Sequence, residues 1–404
     1  MTETFKIIDR PLYTDKIKPF IGKNIIKVIT GQRRVGKSLI LQKIAEDIAR
    51  KEHGANIITI NLEDYAFSRI READDLHHEI GSRLQNNQKN YIFLDEIQEI
   101  RDFDKVVRSL LLDENNDIYI TGSNSTMLSS EIASRLAGRS VEVRVHPLSY
   151  MEFLHFHNLA DDQEALSTYM RYGGMPYLRN LPDRKGWNEY LENVTDAIVF
   201  RDVVSRYAVR NIDFLERLML YLSDNIGRLF SSKSIADYLK SQKSTNSYSL
   251  VQSYVKYIEE AYIINRCRRW EIEGKRFFEI GEKQYFEDLG IRNSLVGYRP
   301  QDISGIMENV IYNHLCICGY DVKVGVIGNG KEIDFIAEKN GETLYIQSAT
   351  TILEPSTFER EIGNLKKISD NYEKIVVTLN DSFPNSYQGI KLLTLRDFLK
   401  RQTD

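Results

Sequence analysis

The sequence predicts an α/β protein of several domains, with a parallel sheet close to its N-terminus. The chain has 404 residues, which exceeds the size of one ordinary hydrophobic core. Ile25–Ile29 is a short β-branched run typical of a buried strand, and Leu39–Ala49 carries apolar residues at helical spacing. Between them, Gly31–Ser38 reads G-x-x-x-x-G-K-S. Strand, glycine loop and helix in this order indicate the start of a strand–helix–strand unit.

The glycine loop predicts a site for a nucleoside triphosphate. Its backbone N–H groups can turn toward the phosphates at the positive end of the following helix. Lys37 adds a positive charge there, and Ser38 offers a hydroxyl to Mg²⁺. A chance match is the alternative, but the flanking strand and helix argue against it. The residues expected to bind the nucleotide are Gly31, Gln32, Arg33, Arg34, Val35, Gly36, Lys37, Ser38 and Leu39.

Two carboxylates follow a second predicted strand. Tyr91–Leu94 is apolar and is followed directly by Asp95 and Glu96. In a parallel sheet such a strand ends at the edge where ligands bind. We expect Asp95 to hold Mg²⁺ and Glu96 to polarise the attacking water as general base. Alternatively, Asp95 and Glu96 are simply acidic residues at the end of a strand, but the glycine loop earlier in the chain argues against this.

A third strand adds an amide, and two arginines follow it. Asp117–Thr121 runs into a polar turn that contains Asn124, whose side chain can orient the water. Arg135 and Arg139 lie just before a predicted strand, Val141–Val145. A guanidinium placed there can reach the γ-phosphate bound by a neighbouring subunit. Either arginine can equally be a solvated surface group.

Taken in order, these motifs resemble those of AAA+ ATPases. The resemblance is carried by Asp95–Glu96, by Thr121–Asn124 and by Leu136–Arg139. Arg10–Tyr13 ahead of the glycine loop and Tyr172–Pro176 behind it narrow the resemblance. Together they look like the prokaryotic AAA+ family that carries an uncharacterised, PD-(D/E)XK nuclease-like domain at its C-terminus.

The resemblance implies a set of roles. ATP with Mg²⁺ would be the cofactor, and the protein would form homo-oligomers. Asn124 would be the sensor residue, and Arg139 or Arg135 would be the finger that acts on a neighbouring subunit. Arg10 and Tyr13 would lie near the adenine.

We predict four regions along the chain: a P-loop AAA+ core at 1–150, a helical lid or linker at 151–208, a winged helix-turn-helix at 209–295 and a restriction-endonuclease-like α/β domain at 296–404. The lid region shows helical patterns throughout. Within it, Tyr190–Arg206 is predicted to be one amphipathic helix with Asp202 on its exposed side.

The third region has the element order of a winged helix. Phe214–Asp224, Ser234–Lys240 and Ser249–Glu260 are predicted helices. Tyr262–Trp270 and Arg276–Glu287 are predicted strands that form a two-stranded ribbon. In such a module the third helix occupies a DNA major groove and the ribbon touches the backbone.

A local excess of cations supports contact with double-stranded DNA only in part. Glu259 and Glu271 lie on the same elements, so docking of an unknown protein partner is the alternative. The candidate contacts to DNA phosphates are Lys256, Arg266, Arg268, Arg269, Lys275 and Arg276.

The last region is predicted to be an α/β unit. Helix Glu308–Gly319 precedes a hairpin formed by Glu332–Ala337 and Leu344–Gln347. Helix Pro355–Asp370 and strand Ile375–Thr378 follow. This order resembles the PD-(D/E)XK nuclease core, in which a helix Glu, a strand Asp and a following (Asp/Glu)-x-Lys surround Mg²⁺.

The match to that nuclease site is incomplete. Glu308 and Asp334 correspond to the motif, whereas Gln347 stands at the second acidic position and Ala349 where the lysine is expected. Glu332 can partly compensate as a ligand. Loss of the lysine removes transition-state stabilisation. We therefore predict a degenerate, binding or regulatory domain, with an ATP-licensed, metal-dependent DNA nuclease as the alternative.

Composition sets the remaining expectations. No apolar run approaches the ~18–20 residues that cross a bilayer, and the first residues show no secretory signal. The three cysteines are too few for a disulfide framework. We expect a cytoplasmic ATP hydrolase without a membrane partner. It would couple Mg²⁺-dependent hydrolysis to movement of DNA- or protein-binding modules.

Overall fold

The computed structural model describes residues 8–401 except 126–134, 137, 232, 234, 236, 238–247, 273, 275 and 382. At 276, 278–280 and 329 it describes the backbone alone. The chain divides into two compact units. The first comprises the residues up to His146 together with Glu260–Tyr262, and the second comprises Pro147–Glu259 and Ile263 onward. The predicted boundaries at 208 and 295 fall inside the second unit and stay predictions.

The first unit contains a parallel sheet. In its described part, the strand order is β2-β3-β4-β1-β5, and the pairing is parallel throughout. Its strands are β1 (Ile26–Thr30), β2 (Asn56–Asn61), β3 (Asn90–Asp95), β4 (Asn116–Gly122) and β5 (Ser140–Arg144). Its helices are α1 (Pro11–Ile17), α2 (Lys37–Lys51), α3 (Ala73–Gly81) and α4 (Phe103–Leu110).

Both faces of this sheet are covered, which explains why its central strands are continuously apolar. Ile92 and Leu94 of β3 pack in a cluster that includes Leu76 of α3. Phe93, which points to the other face, packs in a second cluster that includes Ile44 of α2. Alternate side chains of one strand therefore enter different cores.

A buried ion pair links β1 to β4. The Lys27 ammonium contacts the Asp117 carboxylate, and both side chains are fully buried. The second oxygen of Asp117 accepts hydrogen bonds from the Tyr119 hydroxyl at 2.8 Å and from the Gly22 backbone N–H at 2.7 Å. Burial lowers the pKa of Lys27, although Asp117 opposes the shift. Because these groups satisfy one another, the polar cluster is tolerated between the strands.

The second unit begins with helices, as the sequence predicts. They are α5 (Tyr150–His157), α6 (Gln163–Tyr172), α7 (Arg184–Ile198), a π-helix (Val199–Ser205), α8 (Ile212–Asp224), α9 (Tyr248–Glu260) and α10 (Leu289–Val296). The predicted exposure of Asp202 is wrong, because its side chain is 1% exposed. The wider π-helical turn shifts the helix register and carries this residue onto the inner face.

The second unit also contains a large mixed sheet. Among its described residues the strand order is β13-β14-β12-β11-β10-β9-β7-β8-β6. The strands are β6 (Leu229–Phe230), β7 (Ile264–Glu271), β8 (Arg276–Phe286), β9 (Asp321–Ile327), β10 (Lys331–Lys339), β11 (Glu342–Ala349), β12 (Glu373–Thr378), β13 (Ser386–Tyr387) and β14 (Ile390–Thr394). Its later helices are α11 (Ile303–Ile317), α12 (Pro355–Lys366) and α13 (Leu395–Leu399).

Short 3₁₀ turns complete the chain at Lys18–Phe20, Tyr65–Phe67, Ile97–Glu99, Pro176–Asn180, Pro300–Asp302 and Gly328–Gly330. The hairpin predicted across Asn340–Gly341 is present as β10 and β11.

The predicted ribbon differs from a free wing. Its two strands are β7 and β8, as expected, but β7 also pairs in parallel with β9, where Arg269–Glu271 lies beside Val324–Val326. Cys267 at the centre of β7 is fully buried. If β7 lay at the edge of the sheet, it would expose a row of unpaired N–H and C=O groups, which is unfavourable unless another element covers them. The ribbon is therefore part of the large sheet. Most of the predicted second helix, Ser234–Lys240, lies outside the described residues.

One buried carboxylate explains the glycine pair of the Tyr172–Pro176 motif. Asp288 caps α10 by accepting a hydrogen bond from the Ile291 N–H at 3.2 Å, and it also accepts one from the Gly174 N–H at 2.7 Å. A Cβ at Gly173, whose φ is +71°, would lie 2.3 Å from an Asp288 oxygen. Burial raises the pKa of Asp288 to about 6, against the hydrogen bonds from these N–H groups.

We predict that Asp288 makes the stability of the second unit depend on pH. Its pKa of about 6 exceeds the ordinary value of 3.8, so the folded state binds more protons between these values and is favoured as the pH falls. Asp288→Asn removes this titration. Urea unfolding should show the wild-type advantage over the variant rising by up to about 1.4 kcal/mol per pH unit from pH 6 to pH 4.

The matched control is Asp213→Asn, which changes an exposed carboxylate in the first turn of α8. It shows how the removal of an exposed carboxylate by itself affects the measurement. A difference for Asp288→Asn that stays constant over this range would contradict the prediction.

Candidate functional site

The glycine loop joins β1 to α2 and requires glycine at two positions. Gly31 has a φ of +138°, and a Cβ there would lie 2.1 Å from the Val145 carbonyl oxygen. Gly36 has a φ of +97° and stands immediately before α2. Both backbone conformations are unfavourable for residues that carry a Cβ. The loop therefore turns tightly and presents the N-terminus of a 15-residue helix.

Lys37 lies inside this turn, as predicted. Its ammonium is buried and donates hydrogen bonds to the carbonyl oxygens of Gly31 and Gln32, both at 3.1 Å. The same nitrogen lies 3.7 Å from an oxygen of Glu96. The structure thus brings together a cation and a carboxylate that are 59 residues apart in the chain.

Asp95 ends β3 and is held by two hydroxyls. Thr121, on the neighbouring strand β4, donates a hydrogen bond to an Asp95 oxygen at 2.5 Å. The Ser38 hydroxyl also hydrogen-bonds this carboxylate. Burial raises the pKa of Asp95, although both hydroxyls favour its ionised form. An aspartate beside a hydroxyl at the start of α2 provides the oxygen donors that Mg²⁺ prefers, so the predicted pair Ser38 and Asp95 fits this ion.

Glu96 adopts an unusual backbone conformation directly after β3, with a φ of +55°. Its carboxylate accepts a hydrogen bond from the Gln98 amide at 2.5 Å. Burial opposes ionisation, but Lys37, Gln98 and Arg33 outweigh it and lower the pKa of Glu96. The side chain is therefore in the ionised form that a general base requires. Strained conformations of this kind persist where the surroundings enforce them.

The sequence analysis named Thr121 only as the first residue of the Thr121–Asn124 motif, without a role of its own, and did not indicate Gln98. Thr121 also accepts a hydrogen bond from the Glu96 N–H at 2.9 Å, so one hydroxyl contacts both neighbouring acidic residues. The sequence feature that could have revealed the role of Thr121 is its position at the end of the strand that neighbours the Asp95 strand. Gln98 also donates to the Ser123 hydroxyl at 3.3 Å, and no spacing rule would have found it.

The other predicted loop residues differ in exposure. Gln32 and Val35 are fully buried, whereas Arg34 is exposed and Leu39 is 50% exposed. Arg33 pairs with Glu63 at 2.8 Å. Asn124, which follows β4, is fully buried at the same edge of the sheet.

Arg10 and Tyr13 brace the loop from outside. The buried Arg10 guanidinium donates to the Val35 carbonyl at 2.9 Å and to the His146 carbonyl at 3.0 Å. It also lies over the Tyr13 ring at 4.6 Å, and the Tyr13 hydroxyl accepts from the His146 N–H at 3.1 Å. These contacts tie the glycine loop to the segment after β5. The predicted place of both residues near an adenine stays a prediction.

The two candidate finger arginines differ. Arg135 lies 3.3 Å from the buried carboxylate of Asp104, on α4 of the same unit. Arg139 is exposed. Arg135 is exposed as well, but its guanidinium would have to leave Asp104 to act as a finger.

The candidate DNA contacts do not form a uniformly basic surface. Lys256 and Arg268 are exposed, but Arg266 lies between Glu259 at 2.6 Å and Glu282 at 3.5 Å. Arg269 is half-buried in β7. Lys275 lies outside the described residues, and the side chain of Arg276 is not described. DNA contact by this region stays a prediction.

The predicted nuclease-like residues do come together. Glu308 on α11, Asp334 on β10 and Gln347 on β11 line one cleft of about 470 Å³. The Gln347 side-chain oxygen accepts a hydrogen bond from the Asp334 N–H at 3.4 Å. Ser348 donates to the Asp334 carboxylate from its N–H at 2.7 Å and from its hydroxyl at 2.9 Å.

A lysine that the sequence did not indicate lies beside this cleft. Lys283 on β8 is 3% exposed, and its ammonium lies 2.9 Å from Glu308, 2.7 Å from Glu332 and 3.9 Å from Asp334. Burial opposes its charge, yet the carboxylates outweigh burial and raise the pKa of Lys283. Burial and the repulsion from Asp334 raise the pKa of Glu308 to about 7.

The site does not fit the metal that the nuclease motif implies. Across the residues that the structure describes, no three His, Cys, Asp or Glu side chains are grouped to hold a metal ion. Ala349 packs in an apolar cluster with Ile352 and Ile362. A lysine at that position would place its stem in the cluster. The expectation that the site lacks a lysine is nevertheless wrong, because Lys283 reaches the same carboxylates from another strand.

Two family matches cover much of the chain. Residues 23–154 match an AAA domain, and residues 163–302 match a domain of unknown function, DUF8612. The Aeropyrum pernix ORC1 protein, solved in complex with DNA, is similar at 11% identity over 72% of this chain and 94% of that chain. Its TM-score of 0.34 is too low to indicate a shared overall fold. None of the described helices has the length and apolar character needed to span a membrane.

Two relatives align along nearly the whole chain. A Methanocaldococcus jannaschii protein, the uncharacterized protein MJ1544, is 29% identical over 93% of this chain and 85% of its own length. An uncharacterized protein of Haemophilus influenzae is 33% identical over 97% of this chain and 98% of its own length. The chain therefore belongs to the family of this Haemophilus protein, and its N-terminal part is an AAA-type P-loop NTPase domain.

Proposed function

We propose that the first unit binds ATP with Mg²⁺ at Gly31–Ser38 and hydrolyses it with Glu96 as general base. The observation that carries the proposal is the position of Glu96, whose ionised carboxylate lies 3.7 Å from the Lys37 ammonium at the mouth of the loop. Ser38 and Asp95 would hold Mg²⁺, which would offset the negative charge of the phosphates. The loop N–H groups and Lys37 would bind the β- and γ-phosphates.

The chemistry assigned to the protein is proton transfer and positioning. Glu96 would accept a proton from the water whose oxygen attacks the γ-phosphorus, as the bond to the β–γ bridging oxygen breaks. Asn124 would orient that water, and Thr121 would fix both acidic residues. Gln98 holds the Glu96 side chain through a hydrogen bond to its carboxylate. This hydrogen bond would have to allow the carboxylate to approach the water.

We further propose that hydrolysis drives movement of the second unit against a macromolecular partner, and that the protein acts as a homo-oligomer. The support is that one chain joins an AAA domain to a second compact unit of comparable or larger size. The sequence analysis leaves two classes of partner open, double-stranded DNA and a protein.

We predict that Glu96→Gln will bind ATP but lose turnover. The amide cannot accept the proton from water, so the rate should fall by about 10²–10⁴-fold, the usual contribution of a general base. Phosphate release measures turnover, and equilibrium titration with a fluorescent ATP analogue measures binding. Glu99→Gln, a change of an exposed glutamate three residues away, is the control. Equal turnover by wild type and Glu96→Gln would refute the assignment.

A second prediction concerns Thr121. Thr121→Val preserves shape but removes the hydroxyl that contacts Asp95 and the Glu96 N–H, so kcat should fall at least about tenfold, or 1.4 kcal/mol. The KM for ATP should change by less than about threefold, since the phosphate loop is untouched. Thr121→Ser retains the hydroxyl and should restore most of the rate. A valine variant with wild-type kcat would show that the hydroxyl has no part in positioning.

A third prediction concerns Arg139. If its guanidinium completes a neighbouring site, activity per chain should rise with protein concentration, and Arg139→Ala should lower the plateau at least about tenfold while ATP binding persists. Arg50→Ala, which removes an exposed arginine of α2, serves as control. Arg135→Ala tests the alternative finger. Activity per chain that is flat from nanomolar to micromolar protein would mean that one chain holds the complete site.

A further inference from the structure

Three carboxylates of the second unit surround a single ammonium. Glu308 comes from α11, and Glu332 and Asp334 come from β10. The Lys283 nitrogen lies within 3.9 Å of an oxygen of each. The Tyr285 hydroxyl adds a hydrogen bond to Glu308 at 3.1 Å. These groups lie on three separate parts of the sequence, β8, α11 and β10, but form one hydrogen-bonded cluster, which we name the Lys283 cluster.

The Lys283 cluster borders the open cleft. Glu308, Glu332 and Asp334 are among the residues that line it, whereas the Lys283 side chain lies behind them and is 4% exposed. The carboxylates thus stand between the ammonium and the solvent. Gln347, in the same cleft, is uncharged at the position where the nuclease motif has its second acidic residue. A cation that entered the cleft would meet three carboxylates already engaged by Lys283 and a fourth, Glu361, that is paired with Arg360 at 2.6 Å.

We propose that Lys283 takes the place of the divalent cation in this cleft. Its ammonium serves as the permanent counter-ion of Glu308, Glu332 and Asp334, so the second unit keeps a nuclease-like arrangement of carboxylates without binding a metal ion. The inference does not depend on the proposed ATPase activity, because the first unit contributes no residue to the cluster.

In this cleft a divalent ion would have to compete with the ammonium for the same carboxylates. An ammonium satisfies carboxylates through N–H donors at about 2.7–2.9 Å, and the contacts to Glu332 and Glu308 have these lengths. Mg²⁺ needs oxygen ligands at about 2.0–2.1 Å in octahedral order. The nuclease motif places a lysine beside Mg²⁺ together with a second acidic residue, but here Gln347 stands at that acidic position, and a bound divalent ion would stand beside a buried positive charge.

Removal of the ammonium should therefore create a metal site. Lys283→Met keeps the volume of the side-chain stem but removes the ammonium from Asp334, which is buried, and from Glu308 and Glu332, which are partly exposed. A divalent cation is then the available partner of highest charge. Lys323→Met is the matched control, because Lys323 lies in the same sheet, is mostly buried and pairs with Asp321 and Glu338.

The experiment counts Mn²⁺ bound by the full-length, nucleotide-free chain, using the electron paramagnetic resonance signal of free Mn²⁺. Every chain carries Asp95→Asn, which weakens the ion site of the first unit. Without a change at Lys283, Asp334→Asn should leave the number of bound ions unchanged. Lys283→Met should gain one bound ion per chain with at least tenfold higher affinity than the parent, and adding Asp334→Asn should remove it. Lys323→Met should gain none.

A thermal scan gives a second readout. Mn²⁺ should raise the unfolding temperature of Lys283→Met and leave that of the Lys283 parent unchanged. A parent chain that loses a bound ion on Asp334→Asn would overturn the proposal, and so would a folded Lys283→Met that gains no ion. If Lys283→Met does not fold, the comparison of the parent with Asp334→Asn still decides. ATP turnover of the chain with Asp95 intact, measured in parallel, reports separately on the proposed function.

Discussion

The nucleotide site depends on the parallel register of β1, β3 and β4. Leu94 pairs with Ile120, and Thr30 pairs with Gly122, so all three strands end at one edge of the sheet. The glycine loop, the carboxylates after β3 and the hydroxyl of Thr121 meet there although they span about ninety residues of sequence. A shift of one residue in any pairing would turn these side chains to the opposite face. Register, more than the identity of any one residue, assembles the site.

The features predicted from sequence are those that local chemistry determines. Three kinds of feature depend only on neighbours in the chain. They are a glycine that needs a positive φ, a strand recognised by its continuous apolar residues, and the hairpin across Asn340–Gly341. Strands β1, β3, β4 and β5 and the β10–β11 hairpin were therefore predicted, whereas β2 was not. The contacts of Lys37 with the loop carbonyls also agree with the motif.

The features missed are those that tertiary contact creates. Lys283 lies 25 residues before Glu308 and on a strand that appeared to belong to another region. In the sequence, nothing near Lys283 distinguishes it from a surface lysine. Its surroundings become distinctive only in the folded structure, where β8 packs against α11. Thr121 is similar, because its role exists only once β4 lies beside β3. Asp202 was misplaced because a π-helical turn has no reliable local signal.

The large sheet of the second unit also has a consequence for how this protein could have evolved. Its strands run without interruption from β6 to β13, and the pairing of β7 with β9 joins the two halves. The Lys283 cluster likewise takes its ammonium from one half and its carboxylates from the other. Neither half could be exchanged between genes as an independent module, because a graft would separate buried charges and expose a strand edge. The two halves are therefore constrained to be inherited, and to diverge, together.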